Sequence, residues 1–171
     1  TPMPHADAGA DAAVGAHDVN AVPEALLVAS RALVAVAARS IAESGDDVTL
    51  PQYRALFVLA SRGPQTVGSL ADSLSVHPST ATRLCDRLVA KRLVLRKPTP
   101  ENRREVSVSL AARGRRLVDD VTARRRNDIA AIVQRMPVAA RAAAGAALPA
   151  FAAAAGELPD QGEMAGGLSP V

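Results

Sequence analysis

Two short helical patterns followed by a pair of strand patterns constrain the fold of this chain most strongly. Apolar residues recur at helical spacing over residues 68–74 and again over 78–91, and a turn of only three residues separates the two segments. Residues 93–97 then favour a strand, and residues 105–110 alternate apolar with polar side chains, as a half-buried strand does. This order predicts a winged helix-turn-helix, in which the two strands and their polar turn form the wing.

Longer helical patterns flank this module on both sides. Before it, helices are predicted over residues 22–43 and 50–61. After it, a long helix is predicted over residues 111–136, and an alanine-rich helix over 138–155 follows the break at Pro137. The expected fold class is therefore mainly α with a small β-hairpin wing.

Three of these helices, called the outer helices below, carry apolar stripes that are too long to be covered by one small winged domain. They are the helices predicted over residues 22–43, 111–136 and 138–155. Pairing between two chains is the simplest way to bury them, and a monomer whose helices pack on themselves is the alternative. We therefore expect two flexible tails, a helical dimerisation region in two parts, and a winged helix-turn-helix DNA-binding domain between those parts. Their respective bounds are residues 1–20 and 157–171, residues 21–48 and 111–156, and residues 49–110.

Charge is distributed unevenly along the chain. Residues 62–126 contain 15 basic and 6 acidic residues, whereas the remainder contains 5 basic and 11 acidic residues. A basic middle between acidic ends predicts a module that faces a polyanion. Aromatic residues make up 2% of the chain, too few for a protein that stacks on single-stranded nucleic acid. Double-stranded DNA is the expected partner.

The helix predicted over residues 78–91 has two different faces. Ala81, Leu84, Cys85 and Leu88 form an apolar face that holds the helix to its domain. The opposite face and the first turn present small hydroxyl groups and arginines, which can approach phosphates and base edges in the major groove. The predicted recognition-helix contacts are Ser79, Thr80, Thr82, Arg83 and Arg87.

Basic residues also surround the tip of the predicted hairpin. Such a cluster favours a wing that lies on the DNA backbone with one arginine in the minor groove, and a solvated charged loop is the alternative. The predicted wing contacts are Arg96, Lys97, Arg103 and Arg104.

Four segments of the chain resemble the MarR family of bacterial transcriptional regulators. They are LPQYRAL at 50–56, VGSLA at 67–71, HPSTATRLCDRL at 77–88 and NRREVSVSL at 102–110. The resemblance extends over residues 22–155 and implies a triangular homodimer whose winged domains each enter one half of a palindrome. We expect a repressor of transcription. Arg104 matches the arginine at the family's wing tip, where an acidic residue usually stands two positions earlier; here that residue is Asn102.

The resemblance also implies a switch. MarR-type proteins are often released from DNA by small phenolic or anionic ligands bound between the winged and dimerisation domains, or by cysteine oxidation. Candidate pocket residues are Tyr53, Phe57, Arg31, Arg39 and His77, and core packing is the alternative for the two aromatic residues. Cys85 lies on an apolar helix face, which favours a small buried hydrophobic residue over a redox sensor.

Other classes of function lack their sequence signatures. The chain shows no Gly-rich phosphate loop, no paired carboxylates in an apolar frame, and no serine or cysteine set beside a histidine, so neither an enzyme nor a cofactor is expected. The single cysteine excludes a disulfide framework and multi-cysteine zinc sites, and no metal is expected. We expect a cytoplasmic protein without a membrane partner, because no apolar run reaches the roughly 18 residues of a membrane span.

Two other functions are consistent with the same segments. A ligand-insensitive DNA-binding dimer would bind its operator with no small molecule able to release it. A winged-helix module that binds a protein would bind DNA weakly, and changes at Arg83 or Arg87 would have little effect.

Overall fold

The structure is a computed structural model that describes the backbone of residues 11–98 and 106–157, and their side chains from residue 21 onward. It is mainly helical, with one small antiparallel sheet. In chain order the elements are α1 (Asp11–Ala42), α2 (Leu50–Arg62), β1 (Gln65–Thr66), α3 (Val67–Leu74), α4 (Pro78–Ala90), β2 (Val94–Pro98), β3 (Val106–Leu110), α5 (Ala112–Gln134) and α6 (Val138–Ala154).

The predicted fold class is confirmed, but the first helix starts earlier than the sequence pattern indicates. α1 begins at Asp11, so the predicted N-terminal tail of residues 1–20 is helical over its second half. Pro23, which would stand in the first turn of a helix over residues 22–43, lies inside α1. The physical reason is that this segment is rich in alanine, the strongest helix former, and one proline does not end it. Of the predicted tail at 157–171, all but Glu157 lies outside the described residues.

A third strand completes the sheet. β1 pairs antiparallel with β3, Gln65 opposite Val108 and Thr66 opposite Ser107, and the strand order is β1-β3-β2. β2 and β3 form the predicted hairpin, with Val94 opposite Leu110. With only two residues, β1 is too short to show the alternation by which a strand is recognised in a sequence.

The core lies between α2, α3, α4, the sheet and the first half of α5. Its largest fully buried side chains are leucines and valines, as the scarcity of aromatic residues predicts: Val36, Leu56, Leu59, Leu70, Leu88, Leu93, Val94, Val108, Leu117 and Val121. Among the side chains of α1 that the structure describes, those of the C-terminal third reach this region, where Val36, Ala37, Ser40 and Ile41 are buried. The helix-turn-helix formed by α3 and α4 therefore packs on a dense aliphatic core.

The turn between α3 and α4 sets the position of the recognition helix. Ser75 adopts a left-handed conformation with φ of 54°, and the Val76 amide donates to the Ala71 carbonyl at 3.0 Å. This pattern ends α3 as a Schellman motif does. His77 then caps α4, and Pro78 occupies its first turn, where a missing amide hydrogen is tolerated.

Gly114 allows α5 to start directly against the sheet. A Cβ atom at this position would overlap the backbone carbonyl of Leu93. The same carbonyl accepts a hydrogen bond from the Ala111 amide at 3.0 Å, so the approach is fixed by backbone contacts. Only glycine permits this contact between α5 and Leu93, the residue that precedes β2.

The outer helices leave many apolar side chains exposed. α6, all of which the structure describes, has no buried residue, and Phe151 is 53% exposed. On α1, Leu27 is 56% exposed. The other large exposed apolar residues of these two helices are Val22, Val28, Leu33, Val34, Val138 and Leu148. No surface in the described part of the chain covers them.

One described segment is long and apolar enough to cross a membrane, contrary to the expectation that no run of this kind is present. It is Ala21–Ala42, with 22 residues and a mean hydropathy of 1.7. Arg31 and Arg39 lie within it, and its C-terminal third packs into the protein core. We therefore interpret its apolar composition as the stripe of a packing helix rather than as a membrane span.

Candidate nucleic-acid interface and effector groove

The two faces predicted for α4 are confirmed. Ala81, Cys85 and Leu88 are fully buried and Leu84 is half-buried, so the apolar face lies against the core. All five predicted recognition residues lie on the exposed face: Ser79, Thr80, Thr82, Arg83 and Arg87. The structure therefore presents these hydroxyl groups and two guanidinium groups together on one surface.

His77 and Ser79 form the N-terminal cap of α4. The Nδ1 atom of His77 accepts a hydrogen bond from the Ser79 amide at 3.3 Å and lies 2.9 Å from the Ser79 hydroxyl oxygen. A serine does therefore lie beside a histidine, contrary to the sequence-based expectation. Because the histidine nitrogen satisfies a backbone amide of the first turn, the pair acts as a helix cap and holds Ser79 in place.

Thr82 has a restricted hydrogen-bonding capacity on this surface. Its hydroxyl donates to the Pro78 carbonyl at 3.0 Å, one turn earlier in α4. The oxygen's remaining lone pairs and the methyl group are what the side chain offers to a ligand. In a major groove these groups suit the amino group of adenine or cytosine and the methyl group of thymine.

The two described basic residues of the wing differ in their surroundings. Lys97 is exposed. Arg96 instead forms an ion pair with Asp86 of α4, with 2.6 Å between Nη1 and Oδ1, and its Nη2 donates to the Thr82 carbonyl at 3.3 Å. The prediction of a wing residue that simply faces the DNA backbone does not anticipate this contact with α4. Arg103 and Arg104, with Asn102, lie outside the described residues.

The alternation of β2 explains the difference. Side chains two residues apart lie on the same face of a strand, so Arg96 shares the face of the buried Val94, which packs toward the core. Lys97 shares the opposite face with Leu95, which is exposed. This signal was present in the sequence, because Val94 already marked the inward face.

A groove lies between α2 and the middle of α5. It has a volume of about 350 Å³ and is lined by Phe57, Thr122, Arg125, Arg126 and Ile129. The Nε atom of Arg125 is buried and has no hydrogen-bond partner within the described part of the chain. The groove thus combines an apolar floor with two cationic side chains and a hydroxyl group, a composition that suits a small anionic molecule.

The structure distributes the five predicted pocket residues over different places. Phe57 lines the groove, and the buried Tyr53 lies behind it, with its hydroxyl 3.2 Å from the Thr122 hydroxyl. Arg39 instead pairs with Asp128 at 3.3 Å, and Arg31 is exposed on α1. His77 is the cap of α4 described above.

The α5 side of this groove was not predicted from the sequence. Thr122, Arg125, Arg126 and Ile129 stand at positions i, i+3, i+4 and i+7, which places them on one helix face. The spacing could have been found, but the approach of Phe57 depends on how α2 packs on α5, and this is a tertiary contact.

Cys85 is a buried free thiol, as the apolar pattern predicts. Burial raises the pKa of the Cys85 thiol, and the nearby Arg96 guanidinium acts in the opposite direction. A buried thiol of raised pKa is poorly reactive toward oxidants. Within the described residues no group of three or more His, Cys, Asp or Glu side chains could hold a metal ion.

Comparison with known families shows which family the chain belongs to. The sequence model of the MarR family matches residues 48–106, which comprise α2 to α4 and most of the wing. The chain belongs to the MarR family. Members of this family are transcriptional regulators, and the match covers the DNA-binding, winged-helix part of the protein.

Curated relatives of this MarR chain are similar to it over less than half of its length. An uncharacterised HTH-type transcriptional regulator, ML2140 of Mycobacterium leprae, is 39% identical over 71 residues, which are 42% of this chain and 50% of the relative. The chain spans about half the length of the curated relatives it matches.

Solved structures extend the likeness beyond the winged domain. The crystal structure of RV1404 from Mycobacterium tuberculosis is 44% identical, has a TM-score of 0.78, and is matched over 84% of this chain and 97% of its own. A MarR family protein from Bacillus stearothermophilus is 23% identical, with a TM-score of 0.73 over 82% of this chain and 97% of its own, and shares the fold. The outer helices are therefore part of the same MarR architecture.

Proposed function

We propose that this MarR chain is a transcriptional repressor that binds a palindromic operator as a homodimer and is released by a small anionic aromatic ligand. The observation that carries the proposal is the exposed face of α4, where hydroxyl groups and two arginines lie together above a fully packed core. A face of this composition suits the major groove of double-stranded DNA.

Arg83 and Arg87 are the proposed base-reading residues. They lie one helical turn apart on the exposed face, so each guanidinium can reach a guanine edge or a neighbouring phosphate. Ser79 and Thr80 lie at the N-terminus of α4, where backbone amide groups favour a phosphate oxygen. Lys97, and from the family resemblance Arg103 and Arg104, would hold the wing against the adjacent backbone.

The exposed apolar residues of α1 and α6 support the homodimer. Leu27, Leu33 and Phe151 are large, exposed and located on the two outer helices. A second copy offers the same residues in return, so a two-fold axis buries both sets at once. Two winged domains related by that axis would read two inverted half-sites, and a dimer seated on an operator would exclude other proteins from that DNA.

The groove between α2 and α5 is the proposed effector site. Phe57 and Ile129 suit the ring of a small aromatic molecule, and Arg125 and Arg126 suit its carboxylate. α5 also packs on the sheet and on α1, so a ligand at this position touches the junction of the winged and outer regions. Release follows if the ligand favours a spacing of the two winged domains that does not fit the operator.

A fluorescence-anisotropy titration tests DNA binding. The duplex upstream of the protein's own gene and a scrambled duplex are titrated at several salt concentrations. We expect the upstream duplex to bind about 10³-fold more tightly or better, with both affinities falling as salt rises. Equal, weak binding to both duplexes and to a genome-wide pool of fragments contradicts the proposal and favours a winged-helix module that binds protein.

The effector site is tested by adding salicylate, which carries a phenol and a carboxylate, to the operator complex. We expect salicylate to lower the affinity for DNA in the parent protein, and R125M to weaken this response about tenfold, the typical value of one lost charge-assisted hydrogen bond. R116M, which changes an exposed arginine of α5 outside the groove, is the matched control. No response in the parent protein to salicylate or a panel of aromatic carboxylates would indicate a ligand-insensitive DNA-binding dimer.

A further inference from the structure

We propose that Arg96 is a positioning residue for DNA reading, which holds one turn of α4 and keeps the carboxylate of Asp86 away from Arg83. The inference rests on the proposed DNA-binding function and adds a residue whose role is not phosphate contact. In addition to contacting DNA, the wing would hold α4 in the conformation that binds the DNA bases.

The contacts of Arg96 span one complete turn of α4. Its Nη1 atom lies 2.6 Å from Oδ1 of Asp86, and its Nη2 atom donates to the Thr82 carbonyl at 3.3 Å. Thr82 and Asp86 are four residues apart, so the guanidinium bridges the two ends of the same turn. A planar group with several donors suits such a two-point contact, which a lysine could make only in part.

The charge of Asp86 makes this contact important for DNA binding. Asp86 is the only acidic residue of α4, and its side chain is 55% exposed beside the proposed reading face. Arg83 lies three residues before it, a spacing at which side chains of opposite charge pair on a helix surface. Without Arg96, the Asp86 carboxylate would attract Arg83 away from the base edge that it reads.

Strand geometry gives Arg96 a fixed base for this role. The residue lies opposite Val108 in the β2–β3 ladder and on the same face as the buried Val94. Its side chain is 31% exposed, and its guanidinium also lies near the buried Cys85 thiol. Because Val94 and Val108 are core residues, the wing and the recognition helix are tied to one rigid support.

The test compares R96M and R96K with K97M on the preferred and scrambled duplexes at several salt concentrations. We expect R96M to weaken binding to the preferred duplex about tenfold, within the range of measured couplings between contacting residues, and to leave binding to the scrambled duplex within about twofold. Its salt slope should stay that of the parent protein. K97M should weaken both duplexes alike and reduce the slope by about 0.9, the value of one lost phosphate contact.

Asp86 supplies the second half of the test. We expect D86N to lower discrimination while strengthening binding to the scrambled duplex, because a negative charge is removed and Arg96 is released. The double variant D86N/R96M should discriminate better than R96M alone. R96K should recover part of the loss.

Three results would overturn the inference. One is an equal loss on both duplexes with a reduced slope in R96M, which is the behaviour of a phosphate contact. Another is a D86N protein with parent-like discrimination, a result that does not depend on whether R96M folds. The third is a lowered melting temperature without any change in discrimination. Failure of the proposed function is separate, because it appears as a parent protein that does not distinguish the two duplexes.

Discussion

The winged domain and the outer helices differ in the burial of their large apolar side chains. In the winged domain, Leu56, Leu70 and Leu88 are fully buried within a single chain. On the outer helices, Leu27, Leu33 and Phe151 are large and exposed. The core of the winged domain is therefore closed within one chain, with help from the first half of α5 and the end of α1, whereas α1 and α6 also carry a large exposed apolar surface. The comparison shows that the exposed face of α4 is positioned by packing within the chain, whereas the apolar face of α1 and α6 stays exposed; in the proposed dimer a second copy covers it.

A charge on the exposed apolar surface of α1 should have the largest effect. L33D places a carboxylate on the exposed stripe of α1, so we expect sedimentation equilibrium to show one chain instead of two. Affinity for a palindromic duplex should fall about 100-fold or more, because linked half-sites gain this much from simultaneous binding. L95D, a change of the same kind on the exposed face of β2, should leave the two-chain mass intact. A two-chain mass for L33D contradicts the proposed interface.

An added methyl group at Gly114, where α5 contacts the backbone of Leu93, should have the next largest effect. In G114A the new methyl group overlaps the Leu93 carbonyl, so α5 must move away from the sheet. We expect urea unfolding to show a free energy of unfolding lower by about 3 kcal/mol, the upper end for an overpacked core. G68A adds the same methyl group to α3 without such an overlap and should unfold like the parent protein. Equal stability of G114A and G68A would show that this approach is not close.

The reading surface can be separated into specific and general contacts. R83A should lose about 1–3 kcal/mol on the preferred duplex and little on a scrambled one, because a base contact discriminates and a phosphate contact does not. K97A should weaken both duplexes equally. The sequence analysis favours Arg96 as a general contact of this kind, but its ion pair with Asp86 makes Lys97 the better comparison. Equal losses for R83A on both duplexes would remove Arg83 from the base-reading residues.

The smallest effect concerns the start of α2. The Thr49 hydroxyl accepts from the Gln52 amide at 3.4 Å, and the Gln52 side chain accepts from the Thr49 amide at 3.1 Å. T49A removes half of this capping box and should lower the free energy of unfolding by about 1 kcal/mol. T49S keeps the hydroxyl and should retain most of the stability. A T49A protein as stable as T49S would show that the box contributes nothing.

The sequence predicted the winged domain better than it predicted the contacts between elements. Helical periodicity located α2 to α5 within a few residues, and the alternation of Val106, Val108 and Leu110 located β3. The sequence does not reveal the N-terminal extension of α1, because a proline is typical of a first helical turn and Pro23 therefore favours a start near residue 22. β1 was missed because two residues carry no pattern.

The candidate sites differ in the same respect: features of a single element could be predicted, and contacts between elements could not. The exposed face of α4 could be derived from helical spacing alone, because Ala81, Cys85 and Leu88 define the opposite face. The bridge from Arg96 to Asp86 and the groove of Phe57 with Arg125 each join two elements that are distant in the chain. Periodicity places a residue on a face, but it does not determine which other element packs against that face.

The most direct test of the proposed function is selection of bound duplexes from a random pool by the whole chain. In the proposed dimer, each copy contributes one reading helix, and the outer helices of the two copies pair. We therefore expect the recovered duplexes to share an inverted repeat, with half-sites separated by about one helical turn of DNA or a multiple of it. Recovery of a single unrepeated half-site would contradict the two-fold pairing, and recovery of no common sequence would contradict DNA reading by α4.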